Sequence, residues 1–386
     1  MAVVSETVSF AIDSEDRLTA ARSGVMQTAH GVFQTPAFAP VATAGSVKTI
    51  LFEEVRSLGA EIVLSNTYHL YLKPGVEVIR QAGGLHRFIN WGGPMLTDSG
   101  GFQAYRLSEF FDYQEEGVSF RSHWDGSPHF FSPEKVLEIQ QVLGSDLIMP
   151  LDFCPPYPAD EALVARSVRV TNEWAKRSKT WWESRDRLSH WSQRQFLFGI
   201  VQGSTSPSWR KRSAQELAEL EFDGYALGGL SLGETKEQTF DTVGITVQNL
   251  PVDRLRYLMG MGTPTDLVLG IEQGIDLFDC ALPTRNARNG TVYNWEGKLV
   301  LKGAGFKDDF GPIDERCGCP ACRNYTRAYI RHLFNAKEIT AMHLATLHNL
   351  WFYQELLRTV REKIRTNEFT AFKKNFMERY REEEIC

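Results

Sequence analysis

Residues 276–290 read DLFDCALPTRNARNG. An apolar run of strand length ends on a carboxylate, Asp279, and a short turn carrying Arg285 and Arg288 follows at once. Alone, the segment is ambiguous, because Asp also caps helices and solvated arginines are ordinary. Its pattern recurs along the chain. TPAFAPVAT (35–43), EIVLSNTYHL (61–70), PMLTDSGG (94–101), DLIMPLDFC (146–154), FLFGIVQGS (196–204), GYALGGLSLGE (224–234) and RYLMGMGTP (256–264) are further short apolar or β-branched runs. Seven of the eight end in a carboxylate, an amide or glycine: Ser65-Asn66-Thr67, Asp98-Ser99-Gly100-Gly101, Asp152, Gln202-Gly203-Ser204, Gly228-Gly229, Gly260 and Asp279.

Segments of helical period lie between most of these runs. Val47, Ile50, Leu51, Val55 and Leu58 share one face, as do Val136, Ile139, Val142 and Leu143 after Ser132-Pro133-Glu134. There Ser can cap and Pro suits the first turn, and Thr263-Pro264 opens another helix in the same way. Continuous apolar strands alternating with helices predict a parallel sheet covered on both faces, and eight units predict a closed (β/α)8 barrel. Active sites of such barrels lie at the C-terminal strand ends, where the polar tails fall.

Two regions stand outside the repeat. VSFRSHWDGSPHFF (118–131) alternates around Asp125-Gly126 and predicts a hairpin inserted near 105–131. Residues 291–350 begin with a second hairpin, TVYNWEGKLVL, and carry clustered cysteines; a long amphipathic helix follows from about Ile339 to Thr366. The expected division is therefore a barrel with N-terminal strands over 1–290, a metal-binding subdomain over 291–350, and a C-terminal helix over 351–386. Gly303-Ala304-Gly305 is too short to read as a phosphate loop.

The 386 residues are 42% hydrophobic and 23% charged, an ordinary globular balance. No apolar run reaches the roughly 18 residues of a membrane span, and MAVVSETVSFAIDSED has no signal-peptide pattern, so a cytoplasmic protein without membrane attachment is expected. Net charge is −6, yet Arg285 to Lys337 holds 10 basic against 5 acidic residues, a local +5. Such asymmetry suits one RNA- or phosphate-facing patch on an acidic protein, although a solvated face explains it as well.

Three of six cysteines form C-x-C-x2-C at Cys317, Cys319 and Cys322, with His332, His343 and His348 as candidate fourth ligands. Without a secretion signal, the cluster reads as one closed structural Zn2+ site rather than disulfides. The reactive groups left are carboxylates at strand ends, Asp98, Asp152 and Asp279. Two of them across a barrel mouth can do glycosidase-like work, one attacking an anomeric carbon while the other moves the proton on the leaving group. A zinc-dependent barrel hydrolase would need histidine pairs at strand ends, and the tails have none.

TDSGGFQ (97–103), NTYHL (66–70), VQGS (201–204), GGL-x-x-GE (228–234), YLMG (257–260), FDC-x-LPTR (278–285) and C-x-C-x2-C-x25-H ending at His348 together resemble the tRNA-guanine transglycosylases, bacterial type, over about residues 8–380. The resemblance implies exchange of guanine 34 in tRNAs with GUN anticodons (Asp, Asn, His, Tyr) for a 7-deazaguanine. It implies Asp279 as nucleophile, through a covalent RNA–enzyme intermediate, and Asp98 as general acid/base. Asp152, Gln202 and the Gly229 backbone would read the base edge, with Ser99, Gly100, Gly101 and Leu230 beside them, and Phe102 and Met259 sandwiching the ring. RNA contacts are implied for Gly260, Met261, Gly262, Thr263, Pro264, Thr265 and Asp266, and for Thr284, Arg285, Asn286, Ala287, Arg288 and Asn289. Cys317, Cys319, Cys322 and His348 would hold the zinc, in a subdomain that also supports a homodimer.

Two positions depart from the bacterial pattern. Phe102 stands where Tyr is typical, as in the eukaryotic enzymes that insert queuine, and Phe153 interrupts an expected Asp-Glu-Cys triplet at 152–154. Cys154 and Leu232 are bulkier than the queuine enzymes carry, which favours the compact base preQ1. Retention of both Asp98 and Asp279 argues against a non-catalytic RNA-binding subunit.

Overall fold

The computed structural model describes residues 9–385; residues 1–8 of the stretch read for a signal peptide, and Cys386, lie outside the described residues. Eight parallel strands form the centre: β1 (Ala37–Pro40), β2 (Val63–Ser65), β3 (Met95–Thr97), β4 (Leu147–Ile148), β5 (Phe196–Val201), β6 (Gly224–Leu227), β7 (Leu255–Leu258) and β8 (Leu277–Cys280). Each neighbour pairs in sequence order, and β8 returns to β1 with Asp279 opposite Ala39. A parallel bridge between Val41 and Leu64 joins β1 to β2, so the expected barrel closes.

The two-residue period of the strands sorts their side chains. Ala37, Ala39, Leu64, Leu96, Leu147, Phe198, Ile200, Ala226, Leu255, Tyr257 and Leu277 form one buried cluster, the barrel interior. Val63, Ile148, Leu197, Val201, Leu227, Leu258 and Phe278 belong to the other, between strands and outer helices. Continuing the inward phase by two residues reaches Asn66, Asp98, Gln202, Gly228, Met259 and Asp279. That phase turns the polar tails into a ring at one end.

The opposite end is plugged by an antiparallel sheet of Phe10–Glu15, Arg22–Thr28 and Gly31–Thr35, whose Phe10, Met26 and Phe33 join the interior cluster. The Arg22 guanidinium pairs with buried Asp276 at 2.6 Å. His30 Nδ1 donates to Asp146 Oδ1 at 2.9 Å, and His86 Nε2 lies 3.6 Å from Oδ2. Burial pushes the Asp146 carboxyl up, but these contacts outweigh it and hold it at about 2. The two imidazoles stack face to face at 3.5 Å and 16°, so their in-plane nitrogen lone pairs do not converge on one ion. We read the trio as a stitch between plug and barrel.

Other elements differ from the sequence reading in detail. The segment Val47–Leu58 is helical only from Phe52 to Ser57, because Thr49 takes a left-handed conformation and Glu54 bonds back to the Leu51 N–H to start the helix there. The insertion is a three-stranded sheet, since Phe111–Tyr113 adds to the hairpin Val118–Arg121/Pro128–Phe131. Residues 351–386, read as one helix, instead hold the second half of helix Ile339–Arg365, a helix Phe369–Arg379, and strand Arg381–Ile385, which pairs with Gly297–Val300. The long helix runs unbroken past residue 350. Its buried Tyr353 donates to the Gly262 carbonyl at 2.6 Å, tying it to the loop after β7.

Candidate active site

A cavity of about 220 Å³ opens at the C-terminal strand ends, lined by Asn66, Asp98, Ser99, Phe102, Gln103, Asp152, Cys154, Gly228 to Leu232, Tyr257, Met259, Gly260 and Asp279. Drug-sized ligands usually occupy roughly 300–1,000 Å³, so this space suits a single small flat molecule.

Asp98 follows β3 and is 7% exposed. Thr67 N–H donates to its Oδ1 at 3.0 Å, while Asn66 Nδ2 and Gln103 Nε2 (2.8 Å) donate to Oδ2. The Thr67 hydroxyl locks the Asp98 carbonyl at 2.6 Å. Burial raises the carboxyl, the Asn66 and Thr67 hydrogen bonds pull it down, the Asp279 charge pushes it up again, and the result is about 7. A carboxyl poised there exchanges a proton readily at neutral pH.

Asp279, the last inward position of β8, accepts from the Tyr257 hydroxyl at 2.5 Å and from the Gly260 N–H at 2.7 Å, both at Oδ1. Oδ2 accepts none of the described hydrogen bonds. Burial raises its pKa, opposed by those two donors. One oxygen is anchored and the other is not.

Asp152 closes the far side. Ser99 Oγ donates to its Oδ1 at 3.2 Å and Gln202 Nε2 to its Oδ2 at 2.8 Å, while burial pushes its pKa up. Gln202 itself is fully buried behind the cavity lining, and its Oε1 has no hydrogen-bond partner among the described residues. A Cβ at Gly229 would sit 2.4 Å from that oxygen, at a φ of +66°, so glycine is required. Met259 and the 38%-exposed Phe102 line the cavity, whereas Phe153 points away into the outer core, stacked on Tyr113 at 3.6 Å. The departure at 153 therefore alters packing behind the pocket.

The loop after β7 and the helix after β8 form the adjoining rim. Gly260, Arg285 and Asn289 are exposed and Thr263, Asn286 and Arg288 half-buried, but Met261, Gly262, Pro264, Thr265, Asp266, Thr284 and Ala287 are buried. Asp266 completes a capping box with Thr263 and pairs with Lys236 at 3.1 Å. Those buried residues build the rim rather than offering side chains to a partner. Arg288 Nη1 is buried with no partner among the described residues, and burial and Arg285 both lower the Arg288 pKa.

The cysteine cluster also forms. Cys317, Cys319, Cys322 and His348 bring their ligand atoms within 4.8 Å of one another and could hold a metal ion. His348 Nε2 donates to the Tyr293 carbonyl at 2.6 Å, which leaves Nδ1 facing the thiols. His343 is engaged by the Thr49 carbonyl and Glu54, and His332 lies on helix Arg327–Asn335 near Tyr329.

Sequence reasoning gave no role to Tyr257, Asn66, Gln103 or Arg210. The first three follow from the inward strand phase and from the helix beginning at Gly101; Arg210 lies behind the pocket and is taken up below.

Two buried carboxylates at the C-terminal mouth of a (β/α)8 barrel, one near neutrality and one with a bare oxygen, define a glycosyl-transferring barrel enzyme. The family described as queuine tRNA-ribosyltransferase matches residues 16–382. Proteins named queuine tRNA-ribosyltransferase are 51% identical in Thermoanaerobacter pseudethanolicus over 97% of this chain and 98% of theirs, and 50% identical in Lysinibacillus sphaericus over 94% and 93%. The chain belongs to the queuine tRNA-ribosyltransferase family and is a tRNA-guanine transglycosylase, a glycosyltransferase with tRNA and a base as substrates. Among the described residues no helix is long and apolar enough to cross a membrane.

Proposed function

We propose that the enzyme exchanges guanine 34 of GUN-anticodon tRNAs for preQ1 by double displacement. Asp279 Oδ2 forms a bond to ribose C1′ as the C1′–N9 bond breaks, the electron pair leaves with guanine, and Asp98 supplies the proton it takes up. The incoming base then returns its N9 proton to Asp98, attacks C1′, and frees Asp279. What carries this reading is the pairing of a proton-exchanging Asp98 with an Asp279 whose single bare oxygen faces the same cavity. A base unstacked and flipped out of the anticodon loop suits the flat pocket. Water must be kept from the intermediate, which a cavity of this size favours.

Asp152, Gln202 and the Gly229 backbone read the base edge, with Ser99 and Leu230 beside them and Phe102 and Met259 on its faces. Cys154 and Leu232 both line the cavity, which favours preQ1 over the bulkier queuine. Arg285 and Arg288 meet the anticodon loop, a reading supported by the lack of any partner for Arg288 Nη1 among the described residues. The Cys3His group fits Zn2+: its S···N separations of 3.4, 3.8 and 3.2 Å bracket the about 3.5 Å edge of a tetrahedral site with bonds of roughly 2.3 and 2.0 Å. Such an ion would brace residues 291–350 and supply no chemistry to the mouth. The protein is proposed to act in the cytoplasm as a homodimer, for which the exposed Tyr325, Tyr329 and Ile339 of this subdomain supply apolar surface.

The test is incorporation of labelled base into cognate tRNA, with the covalent adduct trapped on a denaturing gel. Asp279→Asn should form no adduct. An Asp279→Asn protein that still traps tRNA covalently overturns the assignment, and competition between preQ1 and queuine decides the base.

A further inference from the structure

Arg210 lies on the helix Pro207–Ala218, is fully buried, and forms no ion pair among the described residues, although the Glu234 carboxylate acts on it from beyond ion-pair distance. Its guanidinium instead gathers carbonyls from two strand ends: Nε donates to Ser204 O at 2.7 Å, Nη1 to Val201 O at 2.9 Å, and Nη2 to Gly228 O at 2.8 Å and Gly229 O at 3.4 Å. Desolvation lowers its pKa only to about 10, so it stays charged. A buried unpaired cation is costly to keep. A purely structural bond to these carbonyls needs no charge.

The peptide geometry shows what the charge does. In a trans peptide the C=O and N–H point in opposite directions. With the Gly228 and Gly229 carbonyls drawn toward Arg210, the N–H groups of Gly229 and Leu230 are turned away from it, toward the cavity that Gly228, Gly229 and Leu230 line. The Gly228 N–H is spent on Val201 O at 3.0 Å, and the two that follow donate to no described acceptor. Gln202 packs against both glycines.

We infer that Arg210 is a positioning residue. From behind the pocket it fixes and polarises the Gly229 and Leu230 N–H groups as a pair of donors for the exocyclic oxygen of a 6-oxopurine. Because those donors are charge-backed, they also strengthen as the leaving base gathers electron density on that oxygen. Arg210 touches neither the base nor the ribose. This inference rests on the proposed base pocket.

The experiment measures dissociation constants of guanine and of 2-aminopurine, which lacks the oxygen, for the wild type, Arg210→Lys and Arg210→Met, together with kcat and KM for base exchange. Arg210→Met should weaken guanine by roughly tenfold or more and leave 2-aminopurine within about twofold, with kcat reduced and tRNA KM unchanged. Arg210→Lys should restore part of the discrimination. If both bases weaken equally, or if Arg210→Met binds guanine as the wild type does, the inference is overturned. Should Arg210→Met fail to fold, the guanine/2-aminopurine ratio in Arg210→Lys decides: a wild-type ratio overturns it. Wild-type protein that binds neither base would instead remove the pocket assignment beneath it.

Discussion

Tyr257 donates its hydroxyl to Asp279 Oδ1 at 2.5 Å, two adjacent barrel strands meeting through one hydrogen bond at the mouth. The bond selects which carboxylate oxygen is free and lowers the pKa that burial has raised. Tyr257→Phe removes it without changing the packed ring. Adduct formation should fall by roughly tenfold or more, the usual worth of a hydrogen bond to a charge. Because Asp279, as the proposed nucleophile, would attack only when ionised, the acid limb of the pH–rate profile should move to higher pH. A profile that keeps its position while the rate falls would show that Tyr257 orients Asp279 without tuning it.

The raised pKa that suits Asp98 to its proposed proton transfer carries a stability cost. The folded pKa of about 7 lies above the ordinary aspartate value of 3.8, so the native state binds the extra proton and stability falls as pH rises between those values. The difference corresponds to up to about 4 kcal/mol. Asp98→Asn should therefore melt higher than the wild type at pH 8, with the gap closing by pH 4, while turnover is suppressed. Single-turnover adduct formation by the wild type should decline as pH rises through about 7. Thermal scans across this range check the first claim, and a gap that persists at pH 4 would refute it.

Removing the metal should act on structure. A strong chelator is expected to release one ion per chain and lower the melting temperature, with protease sensitivity appearing first around 291–348. Base binding at the barrel mouth should survive, because none of Cys317, Cys319, Cys322 and His348 lines that cavity. Chelation that stops chemistry while fold and RNA binding persist would mean the ion is catalytic.

Arg288→Ala should weaken tRNA binding and reduce the salt slope of log Kd by about one, as for one lost phosphate contact. Its effect on free guanine should be nil, since Arg288 is outside the cavity lining. A base-binding defect equal to the tRNA defect would place Arg288 in the pocket.

How far residues could be read in isolation depended on what kind of signal marked them. Asp98 and Asp279 were visible because each ends an apolar run, where a carboxylate is conspicuous. Tyr257 was not, since an aromatic within RYLMG reads as core until the strand phase of Leu255, Tyr257 and Met259 turns it inward beneath Asp279. Arg210 was hidden among Arg210-Lys211-Arg212, which reads as a solvated run. Only the phase it shares with Ser213, Ala214 and Leu217 marks it as buried. The stretch 260–266 misled in the other direction, since several of its residues are consumed in capping a helix and packing the loop.

The chain by itself determined the alternation of buried strands and helices, the closure number of eight, the strand-end carboxylates and the thiol cluster, because local periodicity and spacing carry those signals. Tertiary structure alone decided which oxygen of Asp279 is bare, why Asp98 sits near neutrality, and which way the Gly229 peptide faces. Each of these depends on desolvation and on donors brought from strands and helices distant in sequence. A pKa near 7 at Asp98 exists only where Asn66, Thr67, Gln103 and Asp279 meet inside a closed barrel.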